Sequence, residues 1–334
     1  MQAERVIYER FGEPWQVLQV ERVRPQLPGP GELLVRMQAR PINPSDLIPI
    51  RGAYAHRIRL PALAGYEGVG IVVEAGDAAD RRLIGRRVLP LRGEGTWQEL
   101  VRVPSATTVE VPDRLCDDTA AQAYINPLTA WVTCTDVLGL REGDSLLVNA
   151  CGSALGRIYA QLSRMLGFEL IAVVRHSRHK GVLQRLGAAH VVVHVPGMDA
   201  DREPGSLRAT VLAVTGGRSA TAAIDSVGGA AGAELARCVR PGGRLLTVGL
   251  LSGEAVAWSE VAAETGARVE LFHLRHWNDR VPIVRWRTEL SQLLLMMADG
   301  RLTLAEPAGR YALADVVQAV QAAELPGAGK LLLI

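Results

Sequence analysis

The sequence predicts an α/β protein, in which a doubly wound parallel sheet is joined to a smaller, barrel-like β domain. Three observations predict it. From about Ala121 onward, strand-like runs alternate with helical patterns. Before that point the chain reads as short strands separated by turn residues. The 334 residues, 48% apolar and 22% charged, suffice for two domains with cores of ordinary size. This composition excludes a disordered chain, a collagen-like fibre and a coiled coil. The net charge of +2 is too small to attract nucleic acid or an anionic membrane over the whole surface.

Taken in order, Glu32–Arg40 is predicted as a strand after the turn-rich Pro25–Gly31, and Val69–Val73 and Trp97–Val103 as two more. The alternating part opens with strand Ser145–Asn149 and a helix over Ala154–Leu166 that stops at Gly167. Next come strand Leu170–Val174, a helix over Gly181–Leu186 ending at Gly187, and strand His190–Val193. Strand Ala222–Asp225, a helix over Ala230–Val239, and strands Arg244–Val248 and Val269–His273 continue the pattern. A helix over Thr288–Ala298 follows, and the strand-like Lys330–Ile334 is expected to return to the first domain. The start, Met1-Gln-Ala-Glu-Arg, lacks the basic and apolar pattern of a signal peptide, and the apolar run Leu293–Ala298 is too short to span a bilayer. Cys116, Cys134, Cys151 and Cys238 have no disulfide or metal spacing, so a reduced, cytoplasmic protein is expected.

The sharpest local signal is Asn149-Ala-Cys-Gly-Ser-Ala-Leu-Gly156, between a strand and a helix. Gly152 permits a tight turn and the close approach of a pyrophosphate, and Gly156 lets the helix pack against the sheet. The helix start, from Ser153, Ala154 and Leu155, offers free N–H groups and the positive end of a dipole to a phosphate. Ala150 stands where the first glycine of G-x-G-x-x-G belongs, and a glycine turn before a helix also occurs without any ligand. The strand–helix–strand setting favours dinucleotide binding. The next strand ends in Val174 and runs into Arg175-His-Ser-Arg178-His-Lys180, with no acid to take a ribose 2′-hydroxyl. Arg175, His176 and Arg178 suit a 2′-phosphate, which favours NADPH over NADH, with a solvated basic loop as the alternative reading.

With Ile42-Asn-Pro-Ser-Asp46, Arg51-Gly-Ala-Tyr54, Tyr66-Glu-Gly68, Gly95-Thr-Trp97, Asn126-Pro-Leu-Thr-Ala130, Phe272, Trp277 and Lys330 added to the glycine turn, the chain resembles the medium-chain dehydrogenase/reductase superfamily. Within it the sequence is most similar to the mitochondrial-type 2-enoyl thioester reductases, and next to the quinone oxidoreductases. The resemblance implies a GroES-like β-barrel catalytic domain over residues 1–122, a Rossmann NADPH-binding domain over 123–272 and a return to the catalytic domain over 273–334. It implies that Tyr54 donates a proton. It also implies cofactor contacts at Asn43, Asn126, Thr129, the turn Gly152–Gly156, Val248, Gly249, Leu250, Leu251, Phe272, His273, Leu274 and Lys330, and it implies a homodimer. Enoyl reductases of this type tend to have Asn where Tyr66 stands and Trp where His273 stands, and often a base where Ser177 stands. The first two changes bear on the substrate pocket, where Tyr66, Arg57 and Arg275 are expected.

No metal is expected. Zinc-dependent members place a cysteine and a His-Glu pair where this chain has Asn43 and Tyr66-Glu67, and a catalytic zinc needs three protein ligands of suitable type. Without a metal, the acceptor must already be polarised, as a conjugated enoyl thioester or enone is. Hydride addition at the β-carbon moves charge to the carbonyl oxygen, and the α-carbon then needs a proton. A tyrosine hydroxyl stays protonated at neutral pH and can supply it, which fits Tyr54. Arg51, His56, Arg57 and Arg59 flank Tyr54, and Arg275, His276, Arg280, Arg285 and Arg287 come later. If these converge, they could hold the phosphates of coenzyme A or the arm of an acyl carrier protein. The expected function is NADPH-dependent reduction of a 2-enoyl thioester. The alternatives are an NADPH:quinone oxidoreductase and an NADPH-binding protein with little turnover. A small-molecule substrate, no nucleic acid and no membrane complete the expectation.

Overall fold

A computed structural model describes residues 2–92, 95–197 and 205–334. Its strands are β1 (Ala3–Tyr8), β2 (Leu18–Val23), β3 (Glu32–Pro41), β4 (Ala62–Leu63), β5 (Val69–Ala75), β6 (Arg87–Pro90), β7 (Leu100–Pro104), β8 (Thr108–Glu110), β9 (Ser145–Val148), β10 (Glu169–Val174), β11 (His190–Val193), β12 (Ala220–Asp225), β13 (Val239–Thr247), β14 (Arg268–Leu271), β15 (Gly309–Tyr311) and β16 (Leu331–Leu333). The chain divides into two compact units, residues 1–125 with 281–334, and residues 126–280.

The first unit holds a small sheet, β2-β1-β4, and a larger one in the order β15-β16-β3-β5-β6-β8, with β7 also paired to β3. Along β3 the alternate side chains Leu33, Val35 and Met37 meet Val72, Val88, Val101 and Val103, the period-two burial of a sheet with one face inside. The late strand β16 lies antiparallel to β3, with Leu333 opposite Arg40 and Leu332 opposite Pro41. Arg40 is buried, and its Nε and Nη2 donate to the Gln98 carbonyl at 3.0 and 2.5 Å. Burial pulls its guanidinium down to about 10.

The second unit is a six-stranded sheet in the order β11-β10-β9-β12-β13-β14, every neighbouring pair parallel. Read in chain order this is 3-2-1-4-5-6, the Rossmann arrangement, whose order reverses beside β9. Parallel strands covered on both faces read as continuous apolar runs, and here Leu147, Ile171, Val173, Ala223 and Leu245 pack with Val211 and Leu235 from the covering helices. Helix Ala154–Leu166 has the expected bounds. Ser153 Oγ accepts the Gly156 amide at 3.2 Å at its start. Gly167 ends it with φ 83 and donates to the Ser163 carbonyl.

Other bounds moved. The helix expected over Ala230–Val239 is Gly229–Arg237, and Val239 opens β13 because it pairs with Ala220. The helix expected from Thr288 starts at Ile283, and Thr288 is interior to it, its hydroxyl donating back to the Val284 carbonyl at 2.9 Å. Helix Leu207–Val214 was not expected, since its β-branched sequence hides the period; its signal is Ser206, whose Oγ accepts the Ala209 amide at 3.2 Å. No helix of the described residues is long and apolar enough to cross a membrane.

Candidate functional site

In the first unit, the motifs at residues 42–46 and 66–68 and Lys330 meet in one buried polar group. Asn43, just before helix Pro44–Ile50, is 2% exposed. Its amide Nδ2 donates to Glu67 Oε1 at 2.7 Å, and the Lys330 ammonium donates to its Oδ1 and, at 3.4 Å, to the Ile42 carbonyl. Glu67 Oε2 also accepts the Tyr124 amide at 3.2 Å and the Ile125 amide at 2.8 Å. Asp46 Oδ2 accepts the Asn43 amide at 2.7 Å, while its Oδ1 is buried with no hydrogen-bond partner among the described residues. Burial raises the Asp46 carboxyl to about 7, against the backbone hydrogen bond from Asn43 and with a contribution from the Glu67 charge. Burial also raises Glu67, opposed by Lys330 and by its amide donors, and it lowers Lys330.

This arrangement does not fit zinc. The side chain of Asn43 is committed at both ends, and a half-buried ammonium sits beside it, which repels a second cation. No cluster of three or more His, Cys, Asp or Glu side chains suited to a metal occurs among the described residues.

Tyr54 lies half-buried just before the short turn Ala55–Arg57, and the Arg57 guanidinium lies 3.9 Å from the centre of its ring. Such a contact restrains the ring and brings a positive charge close to it. Tyr66 is 47% exposed. Arg51 is not available as an anion site: it pairs with Glu13 at 3.1 Å and with Glu324 at 2.5 Å. Arg285 is drawn to Glu289 at 3.5 Å, and Arg287 Nη1 donates to the Ala106 carbonyl at 3.4 Å. In the second unit Arg275 lies 3.8 Å from Asp279, one turn along its helix. The expectation that these arginines share one ligand is therefore corrected for Arg51, whose charge is matched by two carboxylates.

The second unit builds the glycine turn at the carboxyl ends of β9 and β12, where the strand order reverses. Asn149 Nδ2 donates to Asp225 Oδ1 at 2.5 Å, and Asn149 Oδ1 accepts the Ser226 amide at 2.8 Å. Asp225, wholly buried, also accepts the Val227 and Gly228 amides. This network ties the two strand ends together and fixes where the turn begins. Ala150 has φ 47, the left-handed conformation that a glycine adopts freely, so the departure from the glycine pattern changes the residue and keeps the backbone. A Cβ on Gly156 would come within 2.4 Å of the Cys151 backbone, so only glycine lets the helix start this close to the turn. Burial pushes the Cys151 thiol up to about 12, which leaves it a small apolar group.

Ser153 is exposed at the helix start, with Ala154 and Leu155 half-buried behind it. Arg175, His176 and Arg178 are exposed beyond β10. His179, rather than the expected His176, is the half-buried residue of that loop and lies over Gly152. Val248 and Gly249 leave β13 half-buried, and Leu250 and Leu251 are 50% and 57% exposed. Phe272 is buried and donates its amide to the Thr247 carbonyl at 2.9 Å. His273 Nδ1 accepts the Arg275 amide at 3.2 Å, beside Leu274. Asn126 and Thr129 lie on helix Ile125–Val132, with Thr129 buried. No acid follows β10 before Lys180, so the loop can take an anion and has nothing to accept a ribose 2′-hydroxyl. The missed residues, Asp46, Glu67, Asn149, Asp225 and His179, share one trait: their partners are distant in sequence or hidden in a loop turn, and only the N-cap spacing of Asp46 behind Asn43 was readable.

The model of the alcohol dehydrogenase GroES-like domain matches residues 29–113, and that of the zinc-binding dehydrogenase family matches residues 154–286. The mitochondrial enoyl-[acyl-carrier-protein] reductase of Xenopus tropicalis is 33% identical over 97% of this chain and 93% of its own length. A Bacillus thuringiensis protein provisionally named an NADPH:quinone reductase is 49% identical, with a TM-score of 0.93 over 100% of this chain and 99% of that one. A mycobacterial protein solved with NADPH is 26% identical, with a TM-score of 0.86 over 100% of both chains.

Proposed function

The chain belongs to the medium-chain dehydrogenase/reductase superfamily, in its zinc-independent branch, and on that premise we propose that it reduces the activated double bond of a 2-enoyl thioester with NADPH. The observation that carries the cofactor is the acid-free end of β10, which runs into Arg175 and Arg178 beside the glycine turn. Guanidinium groups there pair with a 2′-phosphate, and the helix start at Ser153 meets the pyrophosphate. NADPH, when bound, supplies the hydride that adds to the β-carbon.

The remaining chemistry falls to the chain's own side chains. Tyr54 holds a proton at neutral pH; its hydroxyl can hydrogen-bond the developing enolate and then protonate the α-carbon. Arg57, on its ring, restricts its rotation, so the hydroxyl is offered in one direction. Acyl carrier protein is the thioester carrier that the relatives' names give, and coenzyme A carries the same thioester chemistry.

A second reading is favoured by the Bacillus thuringiensis neighbour, whose provisional name makes a quinone the acceptor. One experiment separates the two. Rates are measured with crotonyl-CoA and with simple quinones for the wild type and for Tyr54→Phe. Enoyl reduction should fall by roughly 10²–10⁴-fold in the variant, the range for a lost general acid. Quinone reduction needs no carbon protonation and should change little. Near-full crotonyl-CoA activity in Tyr54→Phe would remove Tyr54 from the chemistry. A wild type active only on quinones would establish the second reading.

A further inference from the structure

The turn that receives the dinucleotide is covered by a side chain the mechanism has not used. A Cβ built on Gly152 would lie 2.9 Å from His179 Cδ2 and 3.0 Å from both Cγ and Nε2. Three ring atoms at nearly one distance mean that the imidazole lies flat over the glycine, on the surface that glycine keeps open for phosphate. His179 Nε2 accepts a hydrogen bond from Arg178 Nε at 3.4 Å, so the ring sits here as a neutral acceptor. Arg157, directly after Gly156, has a buried Nε with no hydrogen-bond partner among the described residues. Among the described residues, the charged groups acting on the ring are Arg178 and His176 from its own loop and Arg157 from helix Ala154–Leu166, and no acid is among them.

We propose that His179, flanked by Arg157 and Arg178, is a phosphate-binding residue of the nucleotide site, and that binding of the dinucleotide is coupled to uptake of a proton by its imidazole. The proposal rests on the nucleotide-site reading above and adds a pH-linked contact to it. Burial and then the neighbouring cations hold the His179 pKa below its usual value in the protein without ligand. A phosphate reverses that balance, because its charge offsets Arg157 and Arg178 and its oxygens accept from a protonated ring. A group whose pKa rises on binding takes up a proton. Affinity is therefore full at low pH and weakens as the pH rises past the ligand-free pKa. The phosphate partner is either the pyrophosphate or the 2′-phosphate, and comparing NADPH with NADH tells them apart.

The test is isothermal titration calorimetry of the full chain with NADPH and with NADH, at pH 7.5 and 8.5, in two buffers of different ionisation enthalpy. A 2′-phosphate has a pKa of about 6 and is fully ionised over this range, so it contributes no proton change. In the wild type the Kd for NADPH should rise by roughly threefold to tenfold between the two pH values, with tenfold the limit for one whole proton. The buffer dependence should show net proton uptake. In His179→Gln both effects should vanish. In His179→Arg, which keeps a permanent cation, the Kd at pH 8.5 should stay near its value at pH 7.5. Uptake with both nucleotides assigns the contact to the pyrophosphate, and uptake with NADPH alone assigns it to the 2′-phosphate. No uptake in the wild type, or the same uptake in His179→Gln, overturns the proposal. A wild type that binds neither nucleotide overturns the nucleotide-site reading itself and the proposal with it.

Discussion

At the scale of single residues, the buried carboxyl of Asp46 has the clearest consequence. Its pKa stands near 7 in the folded chain, against about 4 for an ordinary aspartate. Between those values the folded state holds a proton that the unfolded state has released. Stability therefore falls as the pH rises from about 4 to 7, then levels off. Asp46→Asn keeps an oxygen to accept the Asn43 amide and removes the titration. Urea unfolding of both proteins should show the variant gaining on the wild type by roughly 2 kcal/mol or more between pH 5 and pH 8, at about 1.4 kcal/mol per pH unit. Parallel stability profiles would mean that Asp46 is ionised throughout. This group was barely legible in the sequence, because Glu67 and Lys330 come from segments remote from Asn43 and Asp46, and only folding brings them together. Tyr54 and the arginines after β10 were nameable as candidates, because the motif around them is local. His179 was not, because nothing in Arg175-His-Ser-Arg178-His-Lys180 says which histidine the short turn aims inward.

At the scale of elements, the strand β9, the turn and helix Ala154–Leu166 form the piece whose sequence and structure agree best. Its stop and start signals are local: Ser153 at the N-cap, Gly167 past the end, and an apolar face through Ile158, Tyr159 and Leu162. The helix bounded by Val239 and the one begun at Thr288 were misjudged because their ends are set by strand pairing and by an interior threonine, which the local pattern does not carry. Ala150 offers a test of the turn. Holding alanine at φ 47 costs about 1–2 kcal/mol, and glycine gives back about 0.5–1 kcal/mol through its looser unfolded chain. Ala150→Gly should therefore leave the midpoint of unfolding unchanged or raise stability by up to about 1.5 kcal/mol. Gly156→Ala places a methyl group against the Cys151 backbone and should destabilise by on the order of 1–3 kcal/mol. If Ala150→Gly proved less stable than the wild type, the conformation assigned to Ala150 would be wrong.

At the scale of the whole molecule, the alternation of strands and helices after Ala121 foretold the parallel sheet, and a return of the strand-like 330–334 to the first domain was also readable, though not its place beside β3. The order of the strands was not, since pairing across distant segments leaves no local mark. A ligand that binds only the folded chain stabilises it by mass action, by about 2.7 kcal/mol at a hundred times its Kd. Thermal unfolding with NADPH should accordingly shift upward, and NADH at the same concentration should shift it less, because it lacks the 2′-phosphate that Arg175 and Arg178 are proposed to hold. Equal shifts would deny the 2′-phosphate preference. The pairing of β16 with β3 has one more consequence, for how the protein is made. Arg40 and Leu333 are 293 positions apart, about 15–60 s of synthesis on the ribosome. The unit over residues 126–280 is continuous and can close while translation proceeds. The other unit must wait, with Arg40 and Pro41 at the end of β3 lacking their β16 partners, until residues 331–333 have been made. Chaperones that bind nascent chains should therefore recognise the N-terminal third of this one until that segment emerges.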